Sequence, residues 1–383
     1  MLDLVLKGGR VLDPGRGVDL SADVGFRDGK VAAVEPSIPK DAAREVVDAA
    51  GLVVTPGLID LHTHVYWGGT SLGVDADAIA LRGGITTFVD AGSAGAGNFH
   101  GFRRHVIERS NSRILCYLNI SFAGIYGFSK NVMVGECSDI RLCDAREAVA
   151  CGKEHADLIV GMKVRIGRLA GGTSGVAPLD IALEAADRLQ LPCMTHLDYP
   201  PPGRFEVIPR LRPGDVLTHC YKPFPNDIRQ GDGHVRADIK AARARGVVFD
   251  IGHGMGALDY EVARAMIAEG FLPDTISSDV HTLCVDGPAF DLLRTLSKFL
   301  CLGMTLEQVV TAATSAPAAA IGRPELGSLA VGAIGDATVL QERAGSFDYV
   351  DSLGRTMTGD RRLFCRGLVR SGIWTANEEQ DLG

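Results

Sequence analysis

The chain has 383 residues, 46% of them hydrophobic and 22% charged, with a formal net charge of −8. That balance suits one large globular domain with a smaller companion and excludes a disordered or fibrous chain. The mild acidity and the absence of any Lys/Arg run argue against a nucleic-acid partner or a polybasic membrane surface, so a small-molecule substrate is expected; the sequence leaves room for a homo-oligomer.

The N-terminus, MLDLVLKGGRVLDPG, alternates apolar and polar residues and lacks the basic-then-apolar pattern of a secretory signal. No run approaches the roughly 20 apolar residues of a membrane helix. Nine cysteines, an odd number in apolar settings such as ILCYLNI and FLCLGM, read as small buried hydrophobes in a reducing compartment, and a cytoplasmic protein is expected. Residues 1–56 break into short strand-like pieces, LDLVLKGGRVL, ADVGFRDGKVAAVE and REVVDAAGLVVTPG, with the Asp-Gly hairpin signal inside GFRDGKV. The same style returns from about residue 326 in GSLAVGAIGDATVLQE and RRLFCRGLVRSG. Residues 1–56 and 322–383 are therefore expected to pair as one small β domain beside a central unit, residues 57–321.

In that central unit, buried strand-like runs alternate with helical segments. The runs are LIDLHTH (58–64), ITTFVDAG (85–92), RILCYLNIS (113–121), DLIVGMKV (157–164), LPCMTHL (191–197), DVLTHC (215–220), GVVFDIG (246–252) and DTISSDVH (274–281). Helical patterns such as APLDIALEAADRLQ and PAFDLLRTLSKFLC follow most of them. Eight βα units in about 245 residues predict an α/β fold of the (β/α)8 barrel type, in which the C-terminal ends of the strands carry the chemistry. A doubly wound open sheet is the rival architecture.

The late positions of these strands are unusual. His62 and His64, two apart, project to one face; Lys163, His196, His219 and Asp279 end the fourth, fifth, sixth and eighth runs. Imidazoles and a carboxylate are ligands for a zinc-like ion, and this set exceeds what one tetrahedral site with an open position requires, so two ions are the natural reading. As an ammonium, Lys163 has three donors and no acceptor. Burial lowers a lysine pKa, however, and a neutral amine that adds carbon dioxide becomes a carbamate able to bridge two metals. His100, His105, His155 and His234 fall in helical or loop stretches and are assigned no function.

The order HxH, Lys, His, His, Asp, carried by TPGLIDLHTH, GMKV, MTH, LTH and SSDVH, resembles the amidohydrolase superfamily over nearly the whole chain. Members also carry a small β-sandwich built from both termini, which GSLAVGAIGDATVL resembles. DIGHGMG (250–256) and PDTISSDVHT (273–282) are similar to the amidohydrolase/deacetylase group, which is related to dihydroorotases and D-aminoacylases. The resemblance implies that His62, His64 and Asp279 hold one divalent ion, most naturally Zn2+, and that His196 and His219 hold the other. Lys163, carboxylated by CO2, would bridge them together with a hydroxide, and Asp279 would act as general base and then general acid. The implied reaction is hydrolysis of an exocyclic acyl amide or ester of a small carboxylate-bearing molecule. A cyclic amidase of the dihydroorotase or hydantoinase kind is the alternative, and a non-catalytic scaffold is disfavoured because no ligand is missing.

Around this set, Arg165 shares the face of Lys163 one step further out. It either grips a substrate carboxylate or pairs with a loop acid. Tyr126 either donates to a developing oxyanion or packs, and His253, flanked by glycines, is expected to contact substrate. His281 is expected to support Asp279 without ligating, and Asp60 to orient a ligand histidine. Tyr66 and Trp67 either line the pocket mouth or pack.

Overall fold

The computed structural model describes residues 1–378; the last five residues of the expected 322–383 segment lie outside the described residues. Seven strands form one parallel sheet in sequence order: Leu58–Thr63, Ile85–Gly95, Arg113–Asn119, Ile159–Ile166, Cys193–Leu197, Val216–Thr218 and Val248–Phe249. The first four are buried along almost their entire length, as their unbroken apolar runs require of parallel strands covered on both faces.

The eighth run, 274–281, differs from expectation, because it makes only isolated bridges: Asp250 with Thr275 on one side and Thr63 with Val280 on the other. Its backbone still bonds to both neighbours, with Ile251 N–H donating to Thr275 O (3.1 Å) and Asp279 N–H donating to His62 O (2.7 Å). The barrel is thereby closed, which removes the open-sheet rival. The ladder is interrupted because Asp279 has φ 48° and because Ser278 N–H donates to the Asp60 side chain instead of a neighbouring strand. The sixth strand is likewise shorter than the run 215–220, since His219 leaves extended geometry at φ 63°.

Helices cover the outside. Ala145–Glu154 is typical: Asp144 accepts from the N–H groups of Arg146 and Glu147 at its start, and Ala148, Val149, Cys151 and Gly152 face inward. Helix Phe99–His105, after the second strand, was not among the sequence expectations. Inside the barrel Ile59, Leu61, Val89, Leu115, Tyr117, Val160, Met194 and Val216 form one apolar cluster with Ala318 and Ile321.

Both termini contribute to a single eight-stranded mixed sheet. Leu2–Asp13, Val18–Arg27, Lys30–Glu35, Ala43–Asp48 and Val53–Pro56 come from the start of the chain, and Ala337–Val350, Thr356–Arg370 and Ile373–Ala376 from its end. The seam is Val53–Pro56, which pairs antiparallel with Ala337–Val350. Leu2–Asp13 bonds to Ala43–Asp48 along its first half and to Val53–Pro56 along its second, changing partner around an irregularity between Leu6 and Gly9, which lets a sheet fold over on itself. Leu4, Leu6, Val24, Phe26, Val54, Val339 and Val369 fill its core. All nine cysteines are free thiols, and among the described residues no helix is long and apolar enough to cross a membrane.

Candidate metal centre

The strand ends bring His62, His64, Lys163, Arg165, His196, His219, Asp279 and His281 around one cavity of about 40 Å³, roofed by Leu72, Ile125 and Phe128 from the loops after the first and third strands. A larger cavity, about 900 Å³, lies at the opposite end among Pro192, Gly214 and Val248. There Arg212 and Arg243 are paired with Asp215 and Asp274, and that end of a barrel serves stability.

Within the small cavity, Asp279 Oδ1 lies 3.3 Å from His62 Nε2 and 3.2 Å from His64 Nε2. His219 Nε2 lies 3.0 Å from His196 Nδ1, and Lys163 Nζ lies 3.3 Å from His62 Nε2. Lys163 is 1% exposed and makes no ion pair among the described residues; Asp157, at the start of the same sequence run, bonds Arg103 at the surface.

Outer partners set which ring nitrogen faces inward. Thr218 Oγ1 donates to Asp250 (2.7 Å), so it accepts from His62 Nδ1 (2.8 Å), and the His62 Nε2 lone pair faces inward, toward Lys163 Nζ. His219 Nδ1 donates to Gly252 O (2.7 Å), which frees its Nε2. Ser93 Oγ stands 2.9 Å from His64 Nδ1. Lys222 Nζ is 2.9 Å from His196 Nε2, leaving one proton between His196 Nδ1 and His219 Nε2.

Burial dominates the electrostatics. It pushes His62, His196 and His219 well below the usual imidazole range and His64 down to about 3, so all four are neutral near pH 7. Burial also lowers Lys163 to about 8, which brings its neutral amine within reach, and raises Asp279 to about 6.

These donors fit divalent cations. Neutral imidazoles and a carboxylate are the required ligand forms, with inward lone pairs on His62 and His219, and His62, His64 and Asp279 offer atoms all within 4.8 Å of one another. His196 and His219 present a second pair of nitrogens, where a cation would replace the shared proton.

The surrounding residues depart from sequence expectation in several places. Arg165 takes the second of its two foreseen roles, pairing with a loop acid, and also borders the cavity. Its Nε and Nη2 bond the fully buried Glu136 (Nη2 to Oε2, 2.6 Å). His281 lines the cavity and accepts from Leu283 N–H through Nδ1 (3.1 Å). His253 does not line the cavity: it is fully buried, and its Nε2 faces Lys298 Nζ at 2.6 Å, which corrects the expected substrate contact. Tyr126 is 46% exposed, and its neighbours Ile125 and Phe128 line the cavity instead. Asp60 accepts from Ser278 N–H (2.9 Å) and bonds Ser278 Oγ (2.5 Å); it orients the eighth run, whereas Asp250 orients His62 through Thr218. Tyr66 packs on Phe102, and Trp67 is exposed.

Sequence reasoning missed Thr218, Asp250, Ser93, Glu136 and Lys222. Thr218, Ser93, Glu136 and Lys222 each touch a site residue 26 to 156 positions away, and Asp250 reaches His62 through Thr218; no local motif announces such pairings.

Residues 53–357 match the sequence profile of the Amidohydrolase family. Over 88% of this chain and 82% of the other, the protein is 37% identical to a deacetylase of Agrobacterium fabrum. It is 35% identical to a deacetylase of Brucella anthropi, over 86% of this chain and 81% of that one. A crystal structure of a dihydroorotase superposes with a TM-score of 0.88 at 34% identity, covering 98% of this chain and 99% of that chain. One of an adenine deaminase gives 0.91 at 28% identity, covering 98% and 100%.

Proposed function

The chain belongs to the amidohydrolase family and is a hydrolase of carbon–nitrogen bonds; from that premise we propose that it is a two-metal deacetylase acting on a small carboxylate-bearing molecule. In this reading it removes an exocyclic acyl group from an amide or ester. His62, His64 and Asp279 would hold one divalent ion, taken to be Zn2+, and His196 and His219 the other, with Lys163, carboxylated by CO2, between them. Such ions supply Lewis acidity toward the scissile carbonyl and activate water at neutral pH.

The side chains do the rest. Asp279, at the end of the eighth run beside His62 and His64, takes a proton from the attacking water and passes it to the leaving nitrogen or oxygen. Arg165, fixed by Glu136 through Nε and Nη2, keeps Nη1 for a substrate carboxylate. Leu72, Ile125 and Phe128 exclude bulk water above the reacting groups.

The observation that carries the reading is the convergence of six potential ligands on one cavity, with a buried lysine among them that no carboxylate partners among the described residues. The test is turnover by metal-loaded protein on N-acetyl amino acids and acetyl hydroxy acids, against dihydroorotate and hydantoins. Hydrolysis of the acyl compounds alone is expected. A cyclic amidase is the second reading, supported by the similarity to a dihydroorotase structure, and turnover confined to the ring substrates would establish it. Full activity after metal removal would refute both.

A further inference from the structure

His253 and Lys298 stand outside the cavity, yet they are among the most buried polar residues of the barrel, at 0% and 1% exposure. Lys298 lies in helix Leu292–Cys301 and has three neutral partners: His253 Nε2 at 2.6 Å, Pro288 O at 2.7 Å and Val350 O at 2.9 Å. It therefore ties three segments together, namely the loop after the seventh strand, the loop after the eighth run and the end of a terminal-sheet strand. Every proton a buried amine carries needs an acceptor, so the three acceptors around Lys298 Nζ are held where they stand.

The consequence runs through the His253 ring. Lys298 donates to Nε2, which leaves the hydrogen on Nδ1, and that hydrogen is donated to Gly254 O (2.9 Å). The ring is thus held at both ends. The short segment it holds is also sewn to the eighth run, His253 N–H to Ser277 O (3.1 Å) and Gly254 N–H to Ser278 O (2.9 Å).

Two site residues lean on that segment. Gly252 O accepts from His219 Nδ1 (2.7 Å), the bond that turns the other ring nitrogen toward His196. At Gly254, with φ 50°, a Cβ would stand 2.2 Å from Asp279 Oδ2, so this backbone forms the wall against which the Asp279 carboxylate rests.

We infer that Lys298 and His253 form a clamp on residues 252–254 and are the positioning residues for His219 and Asp279, one from each half of the candidate metal centre. The clamp rests on the reading of Asp279 as proton carrier and of His219 as ligand, and it adds the device that aims them. Anchorage at Val350 makes the terminal sheet part of that device.

The test compares Lys298→Met, Lys298→Arg and His253→Gln with the parent protein. In metal-free protein, hydrogen exchange of the peptide spanning residues 250–257 should rise about tenfold or more in Lys298→Met, with distant helices unchanged. After Co2+ loading, the visible spectrum should shift at unchanged stoichiometry. On the best acyl substrate kcat should fall about tenfold to a hundredfold while KM stays within about twofold. Lys298→Arg, which still donates, should recover most of all three. Wild-type exchange, spectrum and kcat in Lys298→Met overturn the clamp. If Lys298→Met does not fold, His253→Gln decides by the same readouts, since it keeps an acceptor for Lys298 and drops the bond to Gly254. Asp279→Asn is measured alongside: retained turnover there refutes the proton-carrier reading, whereas a dead Asp279→Asn with an unperturbed Lys298→Met refutes only the clamp.

Discussion

Gly92→Ala isolates the placement of Lys163 from its chemistry. Gly92 lies in the second barrel strand at φ 83°, and an added Cβ would stand 2.6 Å from Lys163 Cγ and 2.7 Å from Lys163 Cβ. Two carbons in contact rest about 3.5–4.0 Å apart, so the lysine stem must retreat by about 1 Å. Holding alanine at positive φ costs about 1–2 kcal/mol, and overpacking adds about 1–3 kcal/mol, for a loss near 2–5 kcal/mol. Gly17→Ala is the control, because Gly17 has φ 65° with nothing within 4 Å of its would-be Cβ, and it incurs the backbone cost alone. A shift of about 1 Å at a catalytic group is worth about 10²-fold in rate. Gly92→Ala should therefore lose about that factor in kcat/KM and part of its metal, read by steady-state kinetics and elemental analysis, while Gly17→Ala retains both. Wild-type turnover and metal content in folded Gly92→Ala would refute the claim that Lys163 must sit where it does.

Asp279→Asn should keep most of the metal but lose about 10²–10⁴-fold in kcat, since an amide cannot carry the proton; substantial residual turnover removes that role. Lys163→Ala should empty or halve the metal content, and added formate or acetate should restore part of it by supplying the missing carboxylate. Two metals bound normally without such rescue contradict the bridge. Arg165→Met combined with Glu136→Gln, which leaves neither charge of the pair stranded, should raise KM about 10- to 100-fold for carboxylate-bearing substrates and change it far less for their uncharged ester analogues, the loss expected for a charge-assisted hydrogen bond. Glu136→Gln strands a buried guanidinium, so urea denaturation should show a loss of about 3–5 kcal/mol; stability within error of the parent means the pair is not buried as described.

Much of this architecture was legible in the chain because its signals are local. Eight apolar runs separated by helical patterns specify a barrel, and residues at strand ends fall at its rim whatever the loops do, which is why His62, His64, Lys163, His196, His219 and Asp279 could be picked out one by one. What the sequence could not contain is orientation. His253 resembled a substrate contact because glycines flank it, yet Lys298, 45 positions later, draws it into the core. Asp60 and Asp250 are both buried strand aspartates, but only folding decided that Thr218 joins Asp250 to His62 while Asp60 goes to Ser278. Arg165 was evenly balanced between two partners, and Glu136 settled one end of it while leaving it on the cavity wall. The composition of the site was determined by residue type and strand register, which have short range. Its tautomers, charge states and shape came from burial and from hydrogen bonds between distant segments, and those are set only when the barrel closes.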